Sequence, residues 1–222
     1  MKQGRELIII GTGLFPEVAK CYFDRFSEYS VVGFACHAAY RTSETIYNLP
    51  LYTIEDLSSV HPPGSADVFV ALGYREMNKM RRRVYEELRS AKYEFASFIH
   101  PNVYLWDSTV IGENVFIFED NTIQPFTSIG NNTILWSGNH IGHHSTIGNH
   151  CFLSSHVVVS GSCRIGDHVF IGVNATIHDS VEIAQETLIG AGAVVSKSTR
   201  EKEVFVPYST KVFPKNSQEL GF

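Results

Sequence analysis

The chain has few cysteines, and their positions do not suggest a disulfide or metal framework. Four are present, with no CxxC spacing and at too low a density for a secreted disulfide scaffold: Cys21, Cys36, Cys151 and Cys163. Unpaired thiols fit a reducing compartment, so we predict a cytoplasmic protein.

Long apolar runs and an excess of basic charge are also missing. The opening apolar run covers only residues 7–10 before glycines follow, which is too short for a signal peptide or a membrane span. With 18 basic against 23 acidic side chains, the net charge is −5. Nucleic-acid binding requires a basic face. We therefore expect neither a membrane nor a nucleic acid as a partner.

The dominant pattern is an aliphatic residue at every sixth position from Ile99 to Val195, without a gap. Small or slim residues recur four positions after many of these, as at Val115, Cys151 and Ala175. A period of six is typical of a hexapeptide parallel β-helix, in which short strands form three faces and the coils stack. We predict this solenoid over 99–199, followed by a cap and tail, 200–222, that wraps back over the last coils.

Residues 1–98 alternate apolar strand-like segments with amphipathic helical ones, which predicts a Rossmann-like α/β domain with a small parallel sheet. A first strand at 6–10 leads through a glycine turn into a helix from Pro16 to about Phe26. A later helix is predicted from Arg75 to about Ala91, where apolar residues recur at helical spacing.

The glycine turn is a candidate binding element. It lacks the third glycine of a dinucleotide site, and the second strand ends in His37 rather than an acidic residue. Two interpretations are open: its backbone N–H groups bind a nucleotide diphosphate or similar anion at the helix N-terminus, or it is only a tight turn. The candidate substrate-binding residues are Gly11, Thr12, Gly13 and Leu14.

Histidines cluster in the solenoid segment, and the densest group is His140, His143 and His144, set among glycines. An imidazole there could act as a general base. A zinc site is the second interpretation, since residues 18 apart stack on neighbouring coils, as His150 and His168 do. No histidine pair has the spacing of the hexapeptide-repeat carbonic anhydrases, so we expect no metal. Taken singly, the histidines at 150, 168 and 178 are expected to decorate corners and solvated faces.

Several segments together resemble the hexapeptide-repeat sugar acyltransferases of sialic-acid and bacillosamine biosynthesis. They are the glycine turn Gly11–Gly13, His143-His-Ser-Thr-Ile-Gly148, Ser160-Gly161, Ile165-Gly166 with Ile171-Gly172, and Ile189-Gly190-Ala191-Gly192. The resemblance covers essentially the whole chain. It implies a left-handed β-helix, a homotrimer with active sites between subunits, and a nucleotide-sugar site in the N-terminal domain.

The resemblance also assigns site residues. The family's catalytic histidine falls on His143, and the acidic residue that follows it in the family is His144 here. The orienting partner is therefore His144, a carboxylate such as Glu119 or Asp120, or a relay through His140. The family's second histidine aligns with Phe152. Contacts to CoA are implied for Phe152, Gly161, Ala191 and Gly192, with the Gly161 N–H offered to the thioester oxygen.

The resemblance implies direct acetyl transfer from acetyl-CoA to the amino group of a nucleotide-linked sugar, with His143 as the base. Three alternatives stay open. An O-acetyltransferase would use the same base on a sugar hydroxyl, a trimeric zinc hydratase would hold a metal, and a non-catalytic scaffold would bind no CoA. The base of the nucleotide, the sugar and the acyl length are not determined by the sequence.

Overall fold

A computed structural model describes residues 4–220, so the ends of the predicted N-terminal domain and tail, 1–3 and 221–222, lie outside the described part. The described part of the N-terminal domain, residues 4–98, contains five strands, three α-helices and a short 3-10 helix, Ala38–Tyr40, before the first solenoid strand. The strands and α-helices are β1 (Glu6–Ile10), α1 (Leu14–Phe26), β2 (Ser30–Cys36), β3 (Thr45–Ile46), β4 (Leu49–Thr53), α2 (Leu57–Val60), β5 (Asp67–Val70) and α3 (Lys79–Ser90).

The N-terminal sheet has the strand order β3-β4-β2-β1-β5. Its central strands are parallel, with Leu7 of β1 opposite Val31 of β2 and Asp67 of β5. The short β3 pairs antiparallel with β4. Leu7, Ile8 and Ile9 are fully buried, because helices or the solenoid cover both faces of the sheet. The predicted Rossmann-like domain is confirmed.

The solenoid consists of two-residue strands that recur every six residues. They are β6 (Phe98–Ile99), β7 (Tyr104–Leu105), β8 (Val110–Ile111), β9 (Phe116–Ile117), β10 (Thr122–Ile123), β11 (Ser128–Ile129), β12 (Ile134–Leu135), β13 (His140–Ile141), β14 (Thr146–Ile147), β15 (Phe152–Leu153), β16 (Val158–Val159), β17 (Arg164–Ile165), β18 (Phe170–Ile171), β19 (Thr176–Ile177), β20 (Glu182–Ile183), β21 (Leu188–Ile189), β22 (Val194–Val195) and β23 (Val204–Phe205).

These strands form three parallel sheets, here called faces A, B and C. Face A has the order β22-β19-β16-β13-β10-β7, face B β20-β17-β14-β11-β8, and face C β23-β21-β18-β15-β12-β9-β6. Partners are one coil apart, as with Ile123 and Ile141. The second residue of each strand points inward, and Ile123, Ile141 and Ile177 are fully buried. The predicted left-handed β-helix is confirmed.

The thiols at Cys151 and Cys163 fill inward positions, as expected. Both residues are fully buried, and burial raises the pKa of the Cys151 thiol to about 12. At neutral pH this thiol therefore stays protonated and packs as a small apolar group.

Face C of the solenoid packs against the N-terminal domain through aromatic side chains. The Phe23 ring of α1 lies 5.3 Å from Phe98 and 5.8 Å from Phe116, centroid to centroid. The Tyr22 ring lies 4.9 Å from Phe118, and its hydroxyl donates to Glu119 Oε2 at 2.7 Å. Edge-to-face rings of this kind stabilise an interface beyond their buried area. The two domains are therefore held in a fixed relation.

A buried arginine of α3 joins the same two domains. Arg81 is fully buried, and its guanidinium donates to the carbonyls of Gly73 at 3.0 Å, His150 at 3.1 Å and Cys151 at 2.9 Å. Burial without a carboxylate partner lowers its pKa to about 9. The side chain thus pairs backbone groups of a loop with those of a solenoid corner.

One sequence-based boundary is wrong. The helix expected from Arg75 begins only at Lys79, because Glu76, Met77 and Asn78 have φ of +54°, +52° and +64°, which a helix cannot include. The first part of the tail lies on the last coil, where β23 pairs with β21 and Pro207 lies beside Gly190. Residues 208–220 are all exposed.

Candidate active site

A cleft of about 750 Å³ opens at the carboxyl ends of β1, β2 and β5. This is where open parallel sheets bind ligands. The four predicted substrate-binding residues all line it: Gly11, Thr12, Gly13 and Leu14. Tyr74 and Arg75, which follow β5, line it as well.

The glycine turn has the conformation that a binding loop needs. Gly11 has φ +132°, and a Cβ there would lie 2.9 Å from Pro16 Cγ, so only glycine fits. Gly13 caps α1 without a side-chain hydrogen bond, and Leu14, at the first position of the helix, is 79% exposed. The N–H groups of the first helical turn are therefore available at the cleft wall.

A second candidate site lies at the corner between faces A and B, directly after β13. His143 and His144 are both exposed there. The His143 backbone N–H donates to Gln124 Oε1 at 2.9 Å, which fixes the corner to the preceding coil. The two Nδ1 atoms lie 3.1 Å apart, with the ring planes at 84°. One imidazole must donate this hydrogen bond and the other accept it.

Gly161 lies one coil above His143, as the 18-residue spacing predicts. A Cβ at this glycine would lie 2.8 Å from His143 Cε1 and 2.9 Å from Nε2. The imidazole therefore occupies the space that any side chain at 161 would need. The N–H of Gly161 donates to Asp179 Oδ1 at 2.9 Å. In this structure it is not a free donor, in contrast to the role that the resemblance implies for it.

The candidate orienting partners of His143 differ in the hydrogen bonds that they form. Glu119 accepts hydrogen bonds from Tyr22 and from Ser137 Oγ at 2.6 Å, which directs its carboxylate towards α1. His140 is half-buried on face A and forms no hydrogen bond with His143 among the described residues. Within residues 4–220, the hydrogen bond of the His143 ring goes to His144 alone. The His144 ring in turn packs on Phe126 at 4.8 Å.

The predicted CoA contacts lie on three different parts of the solenoid. Gly161 shares the corner of His143. Ala191 and Gly192 lie at the opposite edge of face A, after β21, where both are exposed. Phe152 lies on face C, 5% exposed, stacked on Phe170 at 5.7 Å and in contact with Tyr74 of the cleft at 5.0 Å. One chain therefore does not bring these positions together.

The expectation that His150 and His168 lie on solvated faces is wrong. They stack at 4.9 Å on one corner, as their spacing predicts, but α3 covers them, leaving 9% and 6% exposed. Burial first, and then the neighbouring His168 and Arg81, lower the pKa of His150 to about 4. No group of three or more His, Cys, Asp or Glu within the described residues could hold a metal ion.

Sequence reasoning missed part of the cleft. Met80, Arg83, Val84 and Glu87 of α3 line it together with His37, which follows β2. The spacing of 80, 84 and 87 places these side chains on one helix face, whereas we used the apolar spacing of this segment only to predict a helix.

No described helix is long and apolar enough to cross a membrane.

Comparisons with known proteins agree with the solenoid. Residues 126–161 and 162–197 match the family described as bacterial transferase hexapeptide (six repeats). No curated protein sequence matches the chain significantly.

Solved structures share the fold over both domains. PerB from Caulobacter crescentus, solved in complex with CoA and GDP-perosamine, is 23% identical with a TM-score of 0.78, over 90% of this chain and 91% of PerB. The acetyltransferase domain of PglB from Neisseria gonorrhoeae is 22% identical with a TM-score of 0.61, over 90% of this chain and 96% of that one. WeeI from Acinetobacter baumannii is 16% identical with a TM-score of 0.52, over 86% and 97%.

At these identities, the similarity to the solved structures shows that the fold is shared. The hexapeptide repeats identify the solenoid from the sequence itself. Residues 126–197 thus match bacterial transferase hexapeptide repeats, and the whole chain shares its fold, a solenoid joined to an α/β domain, with PerB and the PglB acetyltransferase domain.

Proposed function

We propose that the protein transfers an acetyl group from acetyl-CoA to the amino group of a nucleotide-linked sugar, with His143 as general base. The observation that carries the proposal is the exposed imidazole of His143, which lies beneath Gly161 and is hydrogen-bonded through Nδ1 to His144. Nε2 is then left to take the amine proton as nitrogen attacks the thioester. PerB and the PglB domain, which share the fold, were solved with CoA or acetyl-CoA.

The proposed mechanism needs no covalent enzyme intermediate. The sugar nitrogen forms a bond to the thioester carbon and His143 Nε2 accepts its proton. The intermediate then collapses with cleavage of the C–S bond, and the CoA thiolate takes the proton back from His143, which regenerates the neutral base. His144 acts as a positioning residue. If its neutral Nδ1 accepts the Nδ1–H of His143, the tautomer with a free Nε2 is selected, as a carboxylate would do.

A homotrimer would complete the site. The cleft with its neighbour Phe152 lies on the face C side, whereas His143 lies at the corner between faces A and B. One chain therefore separates the sugar-binding cleft from the base. A neighbouring subunit that presents its own His143 corner to the cleft would join them, as the family resemblance implies. The cytoplasmic location and the roles of Ala191 and Gly192 also stay predictions.

Replacing His143 with alanine tests the proposal. Acetyl transfer would be followed by release of the CoA thiol, with GDP-perosamine and other nucleotide-linked amino sugars as acceptors. We expect turnover to fall at least a hundredfold, with CoA affinity nearly unchanged, because general base catalysis contributes about 10²- to 10⁴-fold. His178→Ala removes an exposed histidine from the same corner and is the matched control.

Unchanged turnover in His143→Ala would refute the assigned base. Product analysis by mass spectrometry and NMR distinguishes an N-acetyl from an O-acetyl sugar. A protein that binds no CoA would refute acetyl transfer as a whole and leave the scaffold alternative.

A further inference from the structure

The cleft of the N-terminal domain is lined by groups of different chemistry. The start of α1 and the Arg75 side chain line it, and both suit a diphosphate. Glu87 lies two turns further along α3 than Met80, with His37 beside it. Apolar side chains also line the cleft, including Ile54, which is 8% exposed.

One face of α3 forms this lining. Met80, Val84 and Glu87 follow one another at spacings of four and three residues, so they lie in a row along the helix. A flat apolar ring could cover Met80 and Val84, and its far edge would then meet Glu87. A nucleoside diphosphate laid along the cleft with its phosphates at the glycine turn has this order of groups.

The carboxylate of Glu87 is held but not saturated. His37 Nε2 lies 3.3 Å from Glu87 Oε2, and His37 Nδ1 lies 3.2 Å from Glu55 Oε1. Glu55 also accepts two hydrogen bonds from the Ala38 N–H, at 3.2 and 3.1 Å. Among the described residues, His37 is the one side-chain partner of Glu87. Glu55 thus anchors the imidazole, and Glu87 keeps acceptor capacity for a ligand.

We propose that Glu87, positioned by His37, selects the nucleobase of the sugar nucleotide, and that this base is guanine. The inference rests on the proposed function. A carboxylate only accepts hydrogen bonds, and guanine presents two adjacent donors, N1–H and the N2 amino group, which match its two oxygens. Uracil and thymine present a single N–H between two carbonyls, which a carboxylate repels. Adenine and cytosine place a ring acceptor beside their amino group.

Isothermal titration calorimetry of the full chain with GDP, 2′-deoxy-GDP, UDP, dTDP, CDP and ADP tests this inference. We expect GDP and 2′-deoxy-GDP to bind about tenfold or more tightly than the other nucleotides, as a bidentate contact to a base edge provides. Glu87→Gln should remove this preference, because its amide N–H₂ faces the guanine donors. The matched control is Glu86→Gln, whose carboxylate pairs with Arg82 at 2.6 Å on the exposed side of α3.

Several results would overturn the inference. The first is tighter binding of UDP or dTDP than of GDP, and the second is equal affinity for all six nucleotides. The third is a Glu87→Gln variant that loses the same factor of affinity for every nucleotide. A loss of affinity confined to 2′-deoxy-GDP would assign Glu87 to the ribose instead and also refute it. CoA binding, measured on the same preparations, separates this failure from a failure of the proposed function. If CoA binds and guanine is not preferred, only the base assignment falls, and if neither CoA nor any nucleotide binds, both fall.

Discussion

Gly161→Ala is the substitution for which the structure gives the most direct expectation. The new Cβ would lie 2.8 Å from His143 Cε1 and 2.9 Å from Nε2, whereas optimal non-bonded separations are about 3.5–4.0 Å. The imidazole must therefore move by about 1 Å. It is exposed and can move, so the fold should lose little stability. A misplacement of about 1 Å can cost about 10²-fold in rate, and we expect a loss of that order in kcat.

A double-mutant cycle shows whether Gly161 acts through His143. Steady-state acetyl transfer would be measured for Gly161→Ala, His143→Ala and the double variant, with thermal melting as the control for folding. If the alanine acts by displacing the base, the double variant is no slower than His143→Ala, and the KM for acetyl-CoA stays constant. Full activity in Gly161→Ala, or losses that multiply in the double variant, would refute the geometry proposed for the base.

Two further predictions concern the junction between the domains. Arg81→Met leaves the carbonyls of Gly73, His150 and Cys151 without their donor, so we expect the free energy of unfolding to fall by about 3 kcal/mol or more in urea titrations. A Lys79→Met variant loses only a partly exposed ion pair, so its free energy of unfolding should change by under about 1 kcal/mol. Equal losses of unfolding free energy in the Arg81→Met and Lys79→Met variants would contradict the role of Arg81. Stability should also fall on acidification, because His150 has a pKa of about 4 when folded and about 6.5 when unfolded, so the unfolded chain binds more protons between these values. This loss of stability from His150 is absent above about pH 6.5 and reaches at most about 3 kcal/mol below pH 4. Urea titrations at pH 7 and pH 5 check it, and an unchanged pH dependence in His150→Gln would exclude His150 as the cause.

The two histidine groups show how far spacing carries a prediction. The 18-residue repeat correctly places Gly161 over His143 and His168 over His150. It cannot tell which corner the rest of the molecule covers. The second pair is buried only because α3 packs on it, and this contact joins residues about 70–90 positions apart in the chain.

The orienting partner of His143 illustrates the same limit. Glu119, Asp120, His140 and His144 are all compatible with the sequence, since each is at or near a corner. Among the described residues, the structure brings the His144 ring within hydrogen-bonding distance of the His143 ring, with 3.1 Å between the Nδ1 atoms and a left-handed backbone at His144, φ +58°. Tyr22 and Ser137 hold the Glu119 carboxylate on the α1 side. The role of His144 as orienting partner stays a proposal.

By itself, the sequence determines the solenoid, its coil length and the stacking of residues 18 apart, because a strict period of six leaves one way to bury every aliphatic position. It also determines the α/β domain and the glycine turn, which depend on local patterns. Only the tertiary structure decides which solenoid face the N-terminal domain covers, which histidines are buried, and that α3 places Glu87 beside His37 in the cleft. These features depend on packing between segments far apart in the chain, and no local pattern encodes such contacts.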